Sequence, residues 1–145
     1  MGKAIYTAEA TVTGGRLEGH GRTSDGNLDV QLRPPAELGG PEEGTNPEQL
    51  FAVGYAACFD SALSTVGMRM KVEATDAKVD SKVSLVTNEK RGFDLAVELH
   101  VTLPSIDDPE VAADLVRKTE QVCPFSNATR GNVDLKLFLD GEPLE

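Results

Sequence analysis

The sequence predicts an α+β fold in which antiparallel β-sheets pack on a long central helix. Two stretches, Val79–Leu85 and Phe93–Leu103, place apolar residues at every second position and are joined through Asn88–Gly92, the pattern of a β-hairpin. Between them and the N-terminal strands, the run from Pro47 to about Met70 carries apolar and small residues at helical spacing. The resulting order of strands, helix, hairpin, helix and strand segregates helices from antiparallel strands, as α+β domains do.

Residues 4–13 alternate loosely and end at Gly14-Gly15, so a strand and a turn are expected there. Arg16–Gly21 reads as the returning strand. Leu28, Val30 and Leu32 alternate with polar residues and mark a third strand that stops at Pro34-Pro35. Residues 33–46 are rich in Pro and Gly and form a loop. The long helix then starts with Thr45 or Asn46 as cap, Pro47 at the first helical position and Glu48 at the positive end of the dipole. Leu50, Val53, Ala57, Ser61, Ser64 and Met68 follow its turn. Its first half is largely apolar as far as Phe59, so burial on most sides is expected. After the hairpin, Asp107 or Asp108 caps a second helix with Pro109 at its start. Val111, Ala112, Leu115, Thr119 and Val122 form its apolar stripe, and Pro124 stops it. Val133, Leu135, Leu137 and Leu139 make the last strand. The three N-terminal strands are short, and a three-stranded piece is marginal alone, so pairing with a second subunit is expected.

At 145 residues the chain is long enough for one domain with a real core, taken as 1–145. The 39% hydrophobic and 26% charged content is that of a globular protein. A net charge of -10 repels phosphates and argues against nucleic acid as a partner. No stretch reaches the roughly 18 consecutive apolar residues of a membrane span, and the N-terminal residues lack the apolar region of a signal peptide. A cytoplasmic protein without a membrane partner is the expectation. His20 and His100 stand in no paired ligand spacing, so a metal site is not called for.

The two cysteines, Cys58 and Cys123, are the chemically notable residues. A buried helical cysteine is usually an inert small hydrophobe, and either thiol alone fits that description. In a reducing cytoplasm, however, a permanent disulfide is rare, which favours a working thiol pair over a structural one. A nucleophilic thiol has to ionise, and that needs a nearby cation. Cys123 ends a helix, where the dipole disfavours an anion. Cys58 lies in dry surroundings that raise its pKa unless a cation is supplied. Arg is the suitable cation, with Arg16 and Arg130 as candidates, and a buried Arg calls in turn for a carboxylate such as Glu48.

The stretches TVTGGR, LGGPEEGTNPEQLFAVGYAACF and VCPFSNATRGNVDL resemble the organic hydroperoxide resistance proteins, the Ohr branch of the OsmC-like superfamily. The resemblance runs along nearly the whole chain in the family's order. The osmotically inducible branch shares the two-cysteine plan, but GTNPEQLF and CPFSNATRGN look like the Ohr branch. The resemblance implies an intertwined homodimer of OsmC-like fold, with sites at the subunit interface. It implies a thiol peroxidase that reduces alkyl and fatty-acid hydroperoxides to alcohols. By the same resemblance Cys58 is the peroxidatic cysteine, Cys123 the resolving one, and Arg16 and Glu48 the activating pair. The implied reductant is a dithiol, dihydrolipoamide or a lipoylated protein.

Glu48 and Cys58 are ten residues apart, so on a straight helix they differ by about 15 Å in height and about 80° in azimuth. Either the helix bends, with Gly54 as the candidate, or Arg16 and Glu48 reach Cys58 from the partner chain; the second also accounts for the unpaired N-terminal strands. Leu50, Phe51, Val53, Tyr55 and Phe59, with Phe125 near Cys123, would make an apolar pocket suited to bulky hydroperoxides, or else are simply helix core. A redox sensor that signals without turnover, and a binding domain whose cysteines are core residues, are the rival readings.

Overall fold

The computed structural model describes residues 2–145. The chain falls into two compact units, one running to Leu50 and the other Phe51–Glu145, with the boundary inside the long helix.

The first unit is built on three strands, β1 (Ala10–Thr13), β2 (Gly19–Thr23) and β3 (Asp29–Leu32), antiparallel in that order. The first strand is shorter than the alternation of residues 4–13 suggests. Its register ends at Ala10 opposite Thr23, where β2 turns away, and residues 4–9 have no strand to pair with. The returning strand begins at Gly19 rather than Arg16, because the chain needs Gly14 through Glu18 to reverse. Gly14 and Gly15 both have positive φ, 76° and 60°, and a Cβ on Gly14 would run into the carbonyl of Glu18, so the first position of this turn requires glycine. A second reversal is held by Thr23, whose hydroxyl accepts from Leu28 N–H at 3.0 Å. Leu32 is buried, whereas Val12 and Leu17 stay exposed.

Helix α1 (Pro47–Met70) starts as its sequence requires: the Asn46 side-chain oxygen accepts from Gln49 N–H at 2.8 Å, and Pro47 occupies the first position. It stops where Lys71 takes a φ of 61° and Val72 N–H bonds back to the carbonyl of Gly67. Among the described residues α1 is the one helix long and apolar enough to cross a membrane by length and composition. Its Tyr55, Phe59, Leu63 and Val66 are instead buried in the protein core.

The second unit carries the sheet β4 (Lys78–Thr87), β5 (Phe93–Thr102), β6 (Asp134–Leu139) and β7 (Glu142–Leu144), in that spatial order. The β4–β5 hairpin pairs Val83 with Val97 and Val79 with Val101, so the apolar sets of both strands share one face. Asn88 closes the hairpin, its side-chain oxygen accepting from Lys90 and Gly92 N–H. Between β5 and β6 the pairing is parallel, unlike the rest of the sheet. Helix α2 (Pro109–Val122) and the six-residue helix α3 (Pro124–Thr129) form the crossover that a parallel pair requires. Asp108 caps α2 by accepting from Glu110 N–H at 2.9 Å. The last strand, β7, folds back on β6 through Asp140 and Gly141, both at positive φ. Val97, Leu99 and Val101 of β5, with Leu103 just after it, form one buried cluster with the buried face of α1 and with Ala112, Leu115 and Val116 of α2.

Candidate active site

Cys123 occupies the single residue between α2 and α3, the C-cap of one helix and the N-cap of the other. Its extended backbone, φ -64° and ψ 122°, is what a residue before proline adopts, because the Pro124 ring excludes the helical region. Pro124 therefore ends α2 and also opens α3, a helix that the strand-and-helix periodicity does not disclose. Cys58 lies midway along α1, half-buried, and its Sγ is 3.7 Å from that of the fully buried Cys123. Both thiols are free.

The opposed thiols are flanked by a buried hydroxyl cluster. The Tyr55 hydroxyl, three residues before Cys58, shares hydrogen bonds with Ser126 Oγ at 2.8 Å and Thr129 Oγ1 at 3.1 Å, three and six residues after Cys123. All three side chains are buried. One turn above, the rings of Phe51, Tyr55 and Phe125 pack mutually with centroids 5.7–6.3 Å apart. Gly54 faces the Phe125 ring, which a Cβ there would touch at 3.4 Å. From sequence, Tyr55 belongs to an apolar pocket or to helix core, with no partner for its hydroxyl; the clue to one is that Tyr55, Ser126 and Thr129 stand one or two helical turns from the cysteines.

Burial pushes the Cys58 thiol above its ordinary value; the Phe125 backbone N–H pulls the other way, and the hydrogen bond and charge of Cys123 push it up further. The balance favours the protonated form, so the second unit by itself does not supply the ionisation that a nucleophile needs.

Cys58 opens into a groove of about 370 Å³ lined by Ser61, Ala62, Thr65 and Arg69 along α1 and by Val122 and Pro124 opposite. These α1 positions recur at three- and four-residue intervals, a single stripe of the helix. The residues expected to make an apolar pocket are distributed differently. Tyr55 and Phe59 are fully buried, Phe51 is half-buried and Phe125 is exposed, and none of them lines this groove. Leu50 is half-buried in the first unit. Arg69 was not singled out by sequence, because a lone basic residue in the last turn of a helix reads as a dipole partner.

Arg16 and Glu48 meet in the first unit. The guanidinium donates from Nη1 to Glu48 Oε2 at 3.2 Å and from Nη2 to Oε1 at 3.0 Å, a two-pronged pairing. Burial raises the Glu48 carboxyl, but the Arg16 hydrogen bonds, its own backbone N–H and the Arg16 charge outweigh it and hold the group below its ordinary value. Arg130 pairs with Glu120 instead, at 3.0 Å. Among the described residues no three His, Cys, Asp or Glu side chains gather in a way that would hold a metal ion.

Residues 40–138 match the family of OsmC-like proteins. An organic hydroperoxide resistance protein of Xanthomonas axonopodis pv. citri is 49% identical over 139 residues, covering 94% of this chain and 96% of its own. The organic hydroperoxide resistance protein OhrB of Bacillus subtilis is 44% identical over 137 residues, covering 94% and 98%. The crystal structure of an organic hydroperoxide resistance protein from Legionella pneumophila superimposes with a TM-score of 0.89 at 48% identity, over 94% of this chain and 98% of that one.

Proposed function

The chain belongs to the OsmC-like family, among its organic hydroperoxide resistance proteins, and on that premise we propose that it is a thiol peroxidase that reduces organic hydroperoxides to alcohols. The observation that carries the reading is the opposed pair of free thiols, one buried and one opening into a groove, with their sulfurs 3.7 Å apart.

In the first step the Cys58 thiolate attacks the outer oxygen of the hydroperoxide. The O–O bond breaks, sulfur takes up the hydroxyl, and the alkoxide leaves as the alcohol after gaining a proton. In the second, the Cys123 sulfur attacks the Cys58 sulfenic acid, forming the disulfide and releasing water. An external dithiol, dihydrolipoamide or a lipoylated protein, then reopens the bond by exchange and is itself oxidised to a disulfide. Chemistry of this kind needs no cofactor beyond the thiols.

The ionisation of Cys58 requires a cation, and we assign that role to Arg16, oriented by Glu48. Both residues would act from the partner chain of a homodimer, the arrangement that the helical spacing favours. Val12 and Leu17, both exposed on the first unit, are apolar surface that a second copy would cover. The exposed ring of Phe125, packed on Phe51 and backed by the buried Tyr55, offers an apolar surface outside the Cys58 groove that would favour alkyl and fatty-acid hydroperoxides over hydrogen peroxide. The expected compartment is the cytoplasm, where dithiol reductants keep such a cycle running.

The test is steady-state reduction of an alkyl hydroperoxide with dihydrolipoamide by the wild type, Cys58→Ser and Cys123→Ser. Turnover lost in Cys58→Ser, and a single reaction without dithiol-driven cycling in Cys123→Ser, are the expected results. No turnover by folded wild type with its thiols reduced would overturn the reading in favour of a sensor or a binding domain.

A further inference from the structure

We propose that Arg130 is a positioning residue for the resolving thiol: it ties α3 to the end of α2 and so holds Cys123 Sγ against Cys58. This rests on the peroxidase reading and names the device that sets its second step.

The need for such a tie follows from the sequence. In a continuous helix the carbonyl of Glu120 would accept from the backbone N–H four residues on, and that residue is Pro124, which has none. Arg130 Nη2 donates to this orphaned carbonyl at 2.6 Å. The same guanidinium donates from Nε to Glu120 Oε1 at 3.0 Å and from Nη1 to Asn127 Oδ1 at 2.9 Å. One planar fork thus spans the last turn of α2 and the second half of α3, with Cys123 at the elbow between. The far side of α3 is held to α1 by the Tyr55 hydroxyl on Ser126 and Thr129.

The geometry of the elbow matters because the sulfurs are close but not bonded. From 3.7 Å they must approach to about 2.05 Å, the length of a disulfide. Cys123 has no freedom outside this elbow, being fully buried with its backbone N–H bonded to Thr119 and its carbonyl bonded to Asn127. Loosening α3 changes where Cys123 sits while leaving Cys58 on its own helix. No hydrogen bond or ion pair joins Arg130 to either sulfur, so its action runs through α3.

The experiment is rapid-mixing kinetics of the full chain with an alkyl hydroperoxide, comparing wild type, Arg130→Ala and Arg130→Lys. The first phase, oxidation of Cys58, scales with peroxide concentration; the second, disulfide formation with loss of water, does not. Arg130→Ala should slow the second phase about tenfold and leave the first nearly unchanged. Sulfinic acid on Cys58 should then accumulate under excess peroxide, read by mass spectrometry, because a second peroxide competes with the delayed thiol. Arg130→Lys keeps the charge without the fork and should rescue only partly. If Arg130→Ala does not fold, Arg130→Gln is read by the same two phases. An unchanged second phase in a folded variant would overturn the proposal alone. A wild type that forms no Cys58–Cys123 disulfide would overturn the peroxidase reading, and this proposal with it.

Discussion

Cys123 lies behind Cys58: its Sγ is 3.7 Å away and fully buried, while Cys58 is half-buried and faces a groove. The arrangement orders the two thiols by access. An alkylating reagent such as iodoacetamide should therefore modify Cys58 well before Cys123 in the native protein, and both at similar rates in denaturant. Peptide mapping after timed quenching measures this, and equal native rates would contradict the burial difference.

The pH dependence of Cys58 should expose the missing cation. Burial, together with Cys123, raises the thiol above its ordinary value, and only the thiolate attacks peroxide. In Arg16→Ala the rate of the first oxidation step should therefore keep climbing with pH beyond the range of an ordinary thiol. In wild type, with Arg16 supplying charge, it should level off at lower pH. Superimposable profiles would remove Arg16 from the activating role.

Glu48 should make the stability of the protein acid-sensitive. Its folded-state value lies below that of the unfolded chain, so its contribution is present above the unfolded value and lost as pH falls through the depressed folded-state one. Unfolding by urea at neutral pH and near pH 3 should show Glu48→Gln less stable than wild type at neutral pH, with the gap shrinking in acid. A gap that stays constant would mean that the Arg16 pairing adds nothing to folding.

Tyr55→Phe removes one hydroxyl from a buried cluster and should destabilise by about 1–3 kcal/mol. Ser126 Oγ loses its 2.8 Å partner, whereas Thr129 Oγ1 keeps a contact with the Ser126 carbonyl. Chemical denaturation at a fixed redox state reads the change.

Much of this architecture is legible in the residues because it rests on local rules. Asn46, Pro47, Asp108 and Pro109 announce helix starts, and the period-two runs of β4 and β5 announce a hairpin with its core face. Pairing across the chain is less legible. The parallel register of β5 and β6 depends on where the α2–α3 crossover returns, and the truncation of β1 depends on where β2 ends. The β7 strand carried a local signal in Asp140-Gly141, but three residues offer too little alternation to read. Of the site, charge compensation called for an Arg and a carboxylate, with Arg16 and Arg130 both candidates, and the family resemblance singled out Arg16 with Glu48, the pair that meets in the structure. The Tyr55 hydroxyl cluster and the groove leading to Arg69 did not, since both require knowing how α1, α2 and α3 pack.

Sixty-five positions separate the two thiols along the chain. A bond between them closes a loop of that length, which in the chain-entropy account restricts the unfolded ensemble by about 4 kcal/mol. Every turnover would then alternate the polypeptide between an open thread and a tied ring. Resistance to heat would rise and fall with the ratio of peroxide to dithiol, and the protein would be hardest to unravel while its oxidant is plentiful.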